Sequence, residues 1–289
     1  MSNVERIISP RTHDLGGLIV GRVLPHVERR TVGPFVFLDH MGPAEMAAGQ
    51  AIDVRPHPHI GLSTLTYLYE GEMFHRDNLG NAVEIVPGGV NWMTAGRGIA
   101  HSERTSPVER RSAHRLHGLQ CWVALPKADE EIAPEFWHYG QNSIPRFSHG
   151  DCEITVVAGE AYGKRSPVRN YSPLFYVDVR LPAGATIELP DAYADRAAYV
   201  IEGSIEADGE TVPQHTMVVF KPDARIVIKA AAAAHVVLLG GEPLPEPRHV
   251  WWNFVSSSKE RIEQAKHDWK AGRFARIPGD DQEFIPLPE

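Results

Sequence analysis

The sequence predicts an all-β fold of two small tandem barrels followed by one amphipathic helix, on three observations. Short runs rich in Val, Ile, Tyr and Phe recur along the whole chain. Breakers are dense and evenly spread, with 23 prolines and 25 glycines in 289 residues, which favours short strands over long helices. One local pattern also occurs twice, at Tyr67-Leu68-Tyr69-Glu70-Gly71 and at Tyr199-Val200-Ile201-Glu202-Gly203.

The strand-like runs are 18–23, 35–38, 62–69, 82–86, 118–124, 154–157, 174–180, 197–201, 216–220, 225–229 and 235–239. Most are bounded by turn residues such as Pro87-Gly88-Gly89, Asn78-Leu79-Gly80 and Asp208-Gly209. Many short strands between regular turns suggest a sandwich or barrel. Each copy of the repeated pattern ends a strand at a Glu-Gly turn. A loop with Gly80 or Gly209 follows, then a strand near Pro87 or Pro213. The division expected is a first barrel over 1–140, a second over 150–245 and a tail over 246–289, with an irregular linker around 134–145.

The tail holds the expected helix, at about 258–271. Ser257 and Glu260 have the spacing of a capping box. Ile262, Ala265 and Trp269 share one helical face, and Gly272 is placed to stop the helix. Residues 230–234 are all alanine and favour helix by propensity, but they lie between two strand-like runs and read as strand or loop.

Composition excludes some function classes. The net charge is −8, which argues against direct nucleic-acid binding, where Lys and Arg neutralise phosphates. It also argues against attachment to an anionic membrane. No run approaches the roughly 18 apolar residues of a spanning helix. The N-terminal MSNVERIISPRTHDLGG has no apolar core of signal-peptide length, so the chain reads as soluble and cytoplasmic. Cys121 and Cys152 are too few for a disulfide framework and read as small buried residues.

Fifteen histidines are present, and two local groups stand out. They are Arg55-Pro56-His57-Pro58-His59 and Ile99-Ala100-His101-Ser102-Glu103. In an extended backbone, residues i and i+2 point to the same face. His57 and His59 therefore project together, as do His101 and Glu103. Pro56 and Pro58 keep the first segment extended. If both segments belong to one small barrel, three imidazoles and one carboxylate can surround a single point. That donor set suits a borderline transition metal better than Mg or Ca, which want mostly oxygen. Four protein ligands on an octahedral ion leave open positions for water, O₂ or substrate, unlike a closed structural zinc site. Glu103 would be the candidate base for a substrate hydroxyl acidified by the metal. Met73, Trp92 and Met93 read as core packing more readily than as the lining of a substrate chamber.

These segments resemble the pirin family of the cupin superfamily. Leu38-Asp39-His40-Met41-Gly42-Pro43 is similar to that family's LDHFGP run, and Gly118-Leu119-Gln120-Cys121-Trp122-Val123 to its GLQLWV strand. His57-Pro58-His59-Ile60-Gly61-Leu62 resembles its first metal motif. Trp92-Met93-Thr94-Ala95-Gly96-Arg97-Gly98-Ile99, followed by His101-Ser102-Glu103, resembles its second. Trp252-Asn253-Phe254-Val255-Ser256-Ser257 and Pro278-Gly279-Asp280-Asp281 resemble the ending of bacterial members.

The resemblance implies a bicupin, two jelly-roll barrels of the double-stranded β-helix type, with metal in the first barrel only. The family's ligands map onto His57, His59, His101 and Glu103. Fe(II) is the implied metal, with Ni, Cu, Mn, Co and Zn also compatible. The implied activity is a quercetin 2,3-dioxygenase type of oxidation, using O₂ and a small aromatic substrate such as a flavonol. The alternative is a regulatory module whose metal or redox state controls binding to a protein partner, either a transcription factor or a metabolic enzyme. Two departures accompany the likeness. Ser63 and Thr64 stand where many cupins carry a ligand glutamate. Asp195-Arg196-Ala197-Ala198 stands where a second His-x-His would fall, which leaves His215 and His235 isolated, as structural or exposed residues.

Overall fold

The computed structural model describes residues 2–14 and 18–289. Its regular structure is mostly antiparallel β-strand, with one α-helix, Lys259–Lys270, among the described residues. No described helix is long and apolar enough to cross a membrane.

The chain forms two compact units that interleave in sequence. One comprises Met1–Thr12, Gly21–Asp39 and Asn142–Pro243; the other comprises His13–Val20, His40–Gln141 and Leu244–Glu289. This differs from the contiguous segments 1–140, 150–245 and 246–289. Long-range strand pairing is the reason at the N-terminus, where Val4–Ile8 pairs antiparallel with Met217–Phe220. At the C-terminus the reason is apolar packing. Ile262 and Ala265 of the helix bury against Ile60 and Phe254, with Trp251, Trp269 and Phe274 around them.

The Asn142–Pro243 unit pairs its strands in the order Val4–Ile8, Met217–Phe220, Asp195–Glu202, Ala234–Gly241, Leu174–Leu181, Cys152–Ala161 and Arg146–His149. A second, four-stranded sheet holds Thr186–Glu188, Val227–Lys229, Ser204–Ala207 and Glu210–Pro213. The core between them includes Ile154, Val156, Phe175, Val177, Val200, Val218, Val236 and Leu238. Within each strand these residues are two apart and so share one face.

The His40–Gln141 unit repeats the plan. One sheet orders Glu135–Tyr139, Val90–Thr94, Leu62–Glu70 and His114–Ala124. The other orders Asp53–His59, Ile99–Arg104, Met73–Asp77 and Ala82–Ile85. The segment read as an irregular linker thus contains a strand, since Phe136, Trp137 and His138 pair with Met93, Trp92 and Asn91. The repeated Glu-Gly turns are real counterparts: Gly71 and Gly203 have φ of +78° and +76°, a region that favours glycine.

The helix begins one residue later than its sequence suggests. Ser258 is the cap and accepts from Arg261 N at 3.2 Å. Ser257 is instead engaged by Glu130, whose carboxylate accepts from its N–H and hydroxyl. Residues 231–233 form a short bend between Val227–Lys229 and Ala234–Gly241. Met73, Trp92 and Met93 are buried in the core, as are both free cysteines.

Candidate metal centre

The site lies in the His40–Gln141 unit, on the sheet whose edge strand is Asp53–His59. Proline cannot donate to a sheet ladder and is tolerated on an edge, so Pro56 and Pro58 suit this position. The edge is partly covered from the tail, where Ile285 N donates to Pro56 O at 2.8 Å.

Register brings the two sequence groups together. His101 lies directly opposite His57, and Ile99 opposite His59. The register then shifts, so that Glu103 faces Val54. On its other side the strand Ile99–Arg104 pairs with Met73–Asp77, placing Asp77 opposite His101 and His75 opposite Glu103.

The nitrogens of His57, His59 and His101 converge, with ligand atoms within 4.8 Å of one another. His59 Nε2 is 3.1 Å from His101 Nε2. The ring centroids of His57 and His101 are 4.3 Å apart. All three side chains are buried. Glu103 is buried too, but its carboxylate groups with His75 and His101 rather than with all three imidazoles. It is held by Gln120 Nε2, which donates to both oxygens, and by the Thr66 hydroxyl at 3.3 Å.

Burial sets the charge state. It lowers the His57 pKa to about 4, the Arg55 carbonyl only partly opposing the effect. Burial and the neighbouring imidazoles hold His59 and His101 well below the usual histidine range. All three are therefore neutral at pH 7, the form that binds metal. Burial pushes Glu103 the other way, above the usual carboxylate range, against the donors from Gln120 and Thr66.

The donor set fits a metal. His57 Nδ1 lies 2.8 Å from the Arg55 carbonyl, so its proton belongs there and its Nε2 carries the inward lone pair. Two neutral imidazole nitrogens at hydrogen-bonding separation, His59 Nε2 and His101 Nε2, need a proton or a cation between them. Three neutral imidazoles with a carboxylate nearby suit Fe, Co, Ni, Cu, Zn or Mn rather than Ca or Mg.

Ser63 and Thr64 bring no carboxylate to the site: the Ser63 hydroxyl pairs with that of Thr94 at 3.0 Å, and Thr64 lies opposite Trp122. In the other unit, Asp195 pairs with Arg29 at 2.7 Å, and Arg196 is buried and donates to Ala224 O. His215 is partly buried, beside Gln214. His235 is buried and structural, its Nε2 2.6 Å from buried Asp178. His75, Asp77, Thr66 and Gln120 are site residues that the sequence reading missed. The His-x-Asp spacing of His75 and Asp77 on a strand-like stretch was the available signal.

The Pirin model matches residues 17–123, and the model of the pirin C-terminal cupin domain matches residues 176–275. The chain belongs to the pirin family. A pirin-like protein of Caulobacter vibrioides is 53% identical over 289 residues, covering 99% of this chain and 100% of the relative. A Pseudomonas aeruginosa relative, provisionally named a quercetin 2,3-dioxygenase, is 39% identical over 95% of this chain and 86% of its own length. The crystal structure of quercetin 2,3-dioxygenase from Acinetobacter baumannii superposes with a TM-score of 0.90 at 32% identity, covering 98% and 95% of the two chains. Both units are thus cupin-type domains of a pirin.

Proposed function

We propose that His57, His59, His101 and Glu103 hold one divalent transition metal, Fe(II), and that the site oxidises a flavonol or related aromatic diol with O₂ in the manner of a quercetin 2,3-dioxygenase. The observation that carries this reading is the convergence of three buried, neutral imidazoles beside a buried carboxylate. The similarity to a solved quercetin 2,3-dioxygenase supports the substrate class.

A bound divalent metal would supply an open Lewis-acidic position that acidifies a phenolic hydroxyl. The protein's own part is proton handling and orientation. Glu103 is the base, a carboxylate within reach of a hydroxyl bound beside it. Gln120 and Thr66 fix the carboxylate by donating to it and so decide which lone pair remains free. Trp122, edge-on to His59 with centroids 5.2 Å apart, packs that imidazole in place.

The test is O₂ uptake with quercetin after anaerobic loading with Fe(II). Uptake that matches flavonol loss, and disappears in His57→Ala/His101→Ala, is the expected result. One bound metal without uptake would reject the dioxygenase and favour a metal-dependent module that binds a protein partner.

A further inference from the structure

His101 differs from His57 in what holds its outer nitrogen. His57 uses a carbonyl two residues away in its own strand. His101 Nδ1 instead faces His75 Nδ1 at 3.4 Å, on the neighbouring strand. The opposite nitrogen of His75, Nε2, lies 3.0 Å from Asp77 Oδ2. His75 and Asp77 are both buried, and His75 stacks on Phe136 with ring centroids 4.2 Å apart and planes 12° from parallel.

Asp77 is anchored from several directions. Its Oδ1 accepts from Leu79 N at 2.9 Å and Asn81 N at 3.1 Å, within the turn that follows. The Asn81 amide reaches its carboxylate as well. A carboxylate gathering this many donors only accepts, so the His75 nitrogen facing it must carry the proton. An imidazole with its single proton on Nε2 has its lone pair on Nδ1. That lone pair can be satisfied by His101 only if His101 carries its own proton on Nδ1. The His101 Nε2, 3.1 Å from His59 Nε2, is then the unprotonated nitrogen.

We propose that Asp77 and His75 form a two-step hydrogen-bond chain that fixes His101 as its Nδ1–H tautomer and so directs its Nε2 lone pair at the metal position. The inference rests on the metal reading given above and adds two positioning residues to it. Ligating histidines commonly donate their second N–H to a carboxylate or carbonyl, which fixes the ring and raises its basicity. Here an imidazole is interposed, and the carboxylate acts through it. Strand register makes this possible: Asp77 sits opposite His101 and His75 opposite Glu103, so all four side chains share one face.

Two substitutions separate the roles. His75→Phe keeps a flat ring to stack on Phe136 but removes the acceptor. Asp77→Asn keeps the shape but offers an amide N–H, which allows His75 to reverse its tautomer. The first readout is ¹⁵N-detected tautomer assignment of His101 in the metal-free wild type. A proton on Nδ1 is expected, and a proton on Nε2 overturns the proposal. The second is Fe(II) and Co(II) affinity by competition with a chelating dye. Both variants should lose about 10–100-fold in affinity, with secondary structure unchanged by circular dichroism. If the wild type binds one metal and both variants bind equally tightly, the proposal fails while the metal reading stands. If the wild type binds none, both fail together.

Discussion

The side-chain amide of Gln120 donates to both carboxylate oxygens of Glu103, at 3.0 and 2.9 Å. The two residues sit on different sheets of one unit, Gln120 in His114–Ala124 and Glu103 in Ile99–Arg104. This contact makes a buried carboxylate tolerable and fixes its direction.

Gln120→Leu should therefore strip Glu103 of most of its donors. An unsatisfied buried carboxylate costs about 1–3 kcal/mol or more, so the midpoint of denaturant unfolding should fall. Metal affinity should fall by about 10-fold, the lower end for loss of a ligand's supporting partner. Chemical denaturation and metal titration of the variant check both. Unchanged affinity would show that Glu103 does not depend on Gln120 for its aim.

Metal-free protein should weaken as it is acidified through a defined window. The unfolded chain protonates His57 near 6.5, while burial delays this in the fold to about 4. Between those values the unfolded state binds more protons, so stability falls as pH drops. His59 and His101 are shifted in the same direction. Unfolding free energy measured from pH 7.5 to 4 should be level above about 6.5 and decline below it. Glu103, held above the usual carboxylate range, opposes this in part, so a flat profile through the window would mean that the three imidazoles are not protected strongly enough to outweigh it.

Arg248 and Glu130 form a buried ion pair, Nε to Oε1 at 2.8 Å, with side chains 1% and 6% exposed. Glu130 also accepts from Ser256 and Ser257 just ahead of the helix. Removing one member leaves the other charged and unpaired, so Glu130→Ala should destabilise by about 3–5 kcal/mol. Thermal unfolding reads this directly. A shift within the error of the wild type would contradict it.

Gly61 follows the His57-x-His59 pair at a φ of +67°, and a Cβ there would lie 2.0 Å from the Val255 carbonyl. Gly61→Ala combines a left-handed backbone, roughly 1–2 kcal/mol for an L residue, with a backbone clash that must be relieved by movement. Because Gly61 is two residues from His59, reduced metal occupancy should accompany reduced stability. A variant with wild-type occupancy and stability would show that this turn relaxes freely.

Much of the site was legible because i, i+2 geometry is local. Two His-x-His or His-x-Glu pairs on extended segments announce their faces without tertiary knowledge. Glu103 was only half legible, since its face follows from spacing, while its partners Gln120 and Thr66 come from another sheet. His75 and Asp77 were passed over because the match of His75 to Glu103 and Asp77 to His101 is set by register between strands. Similar reasons apply to the fold. The central strands were found by composition and turns, but Val4–Ile8 is strand because of Met217–Phe220, far along the chain. Ser257 has the spacing of a cap, yet Glu130 engages it and Ser258 caps instead.

The central claim is a single metal held by the convergent histidines, and metal analysis of the purified protein, alongside His57→Ala/His101→Ala, tests it most directly. The account predicts about one transition metal per chain in the wild type, as expected of a single three-histidine site, and its loss in the double variant without loss of fold. A wild type with no stoichiometric metal after anaerobic Fe(II) loading, or a double variant that retains it, would contradict the account.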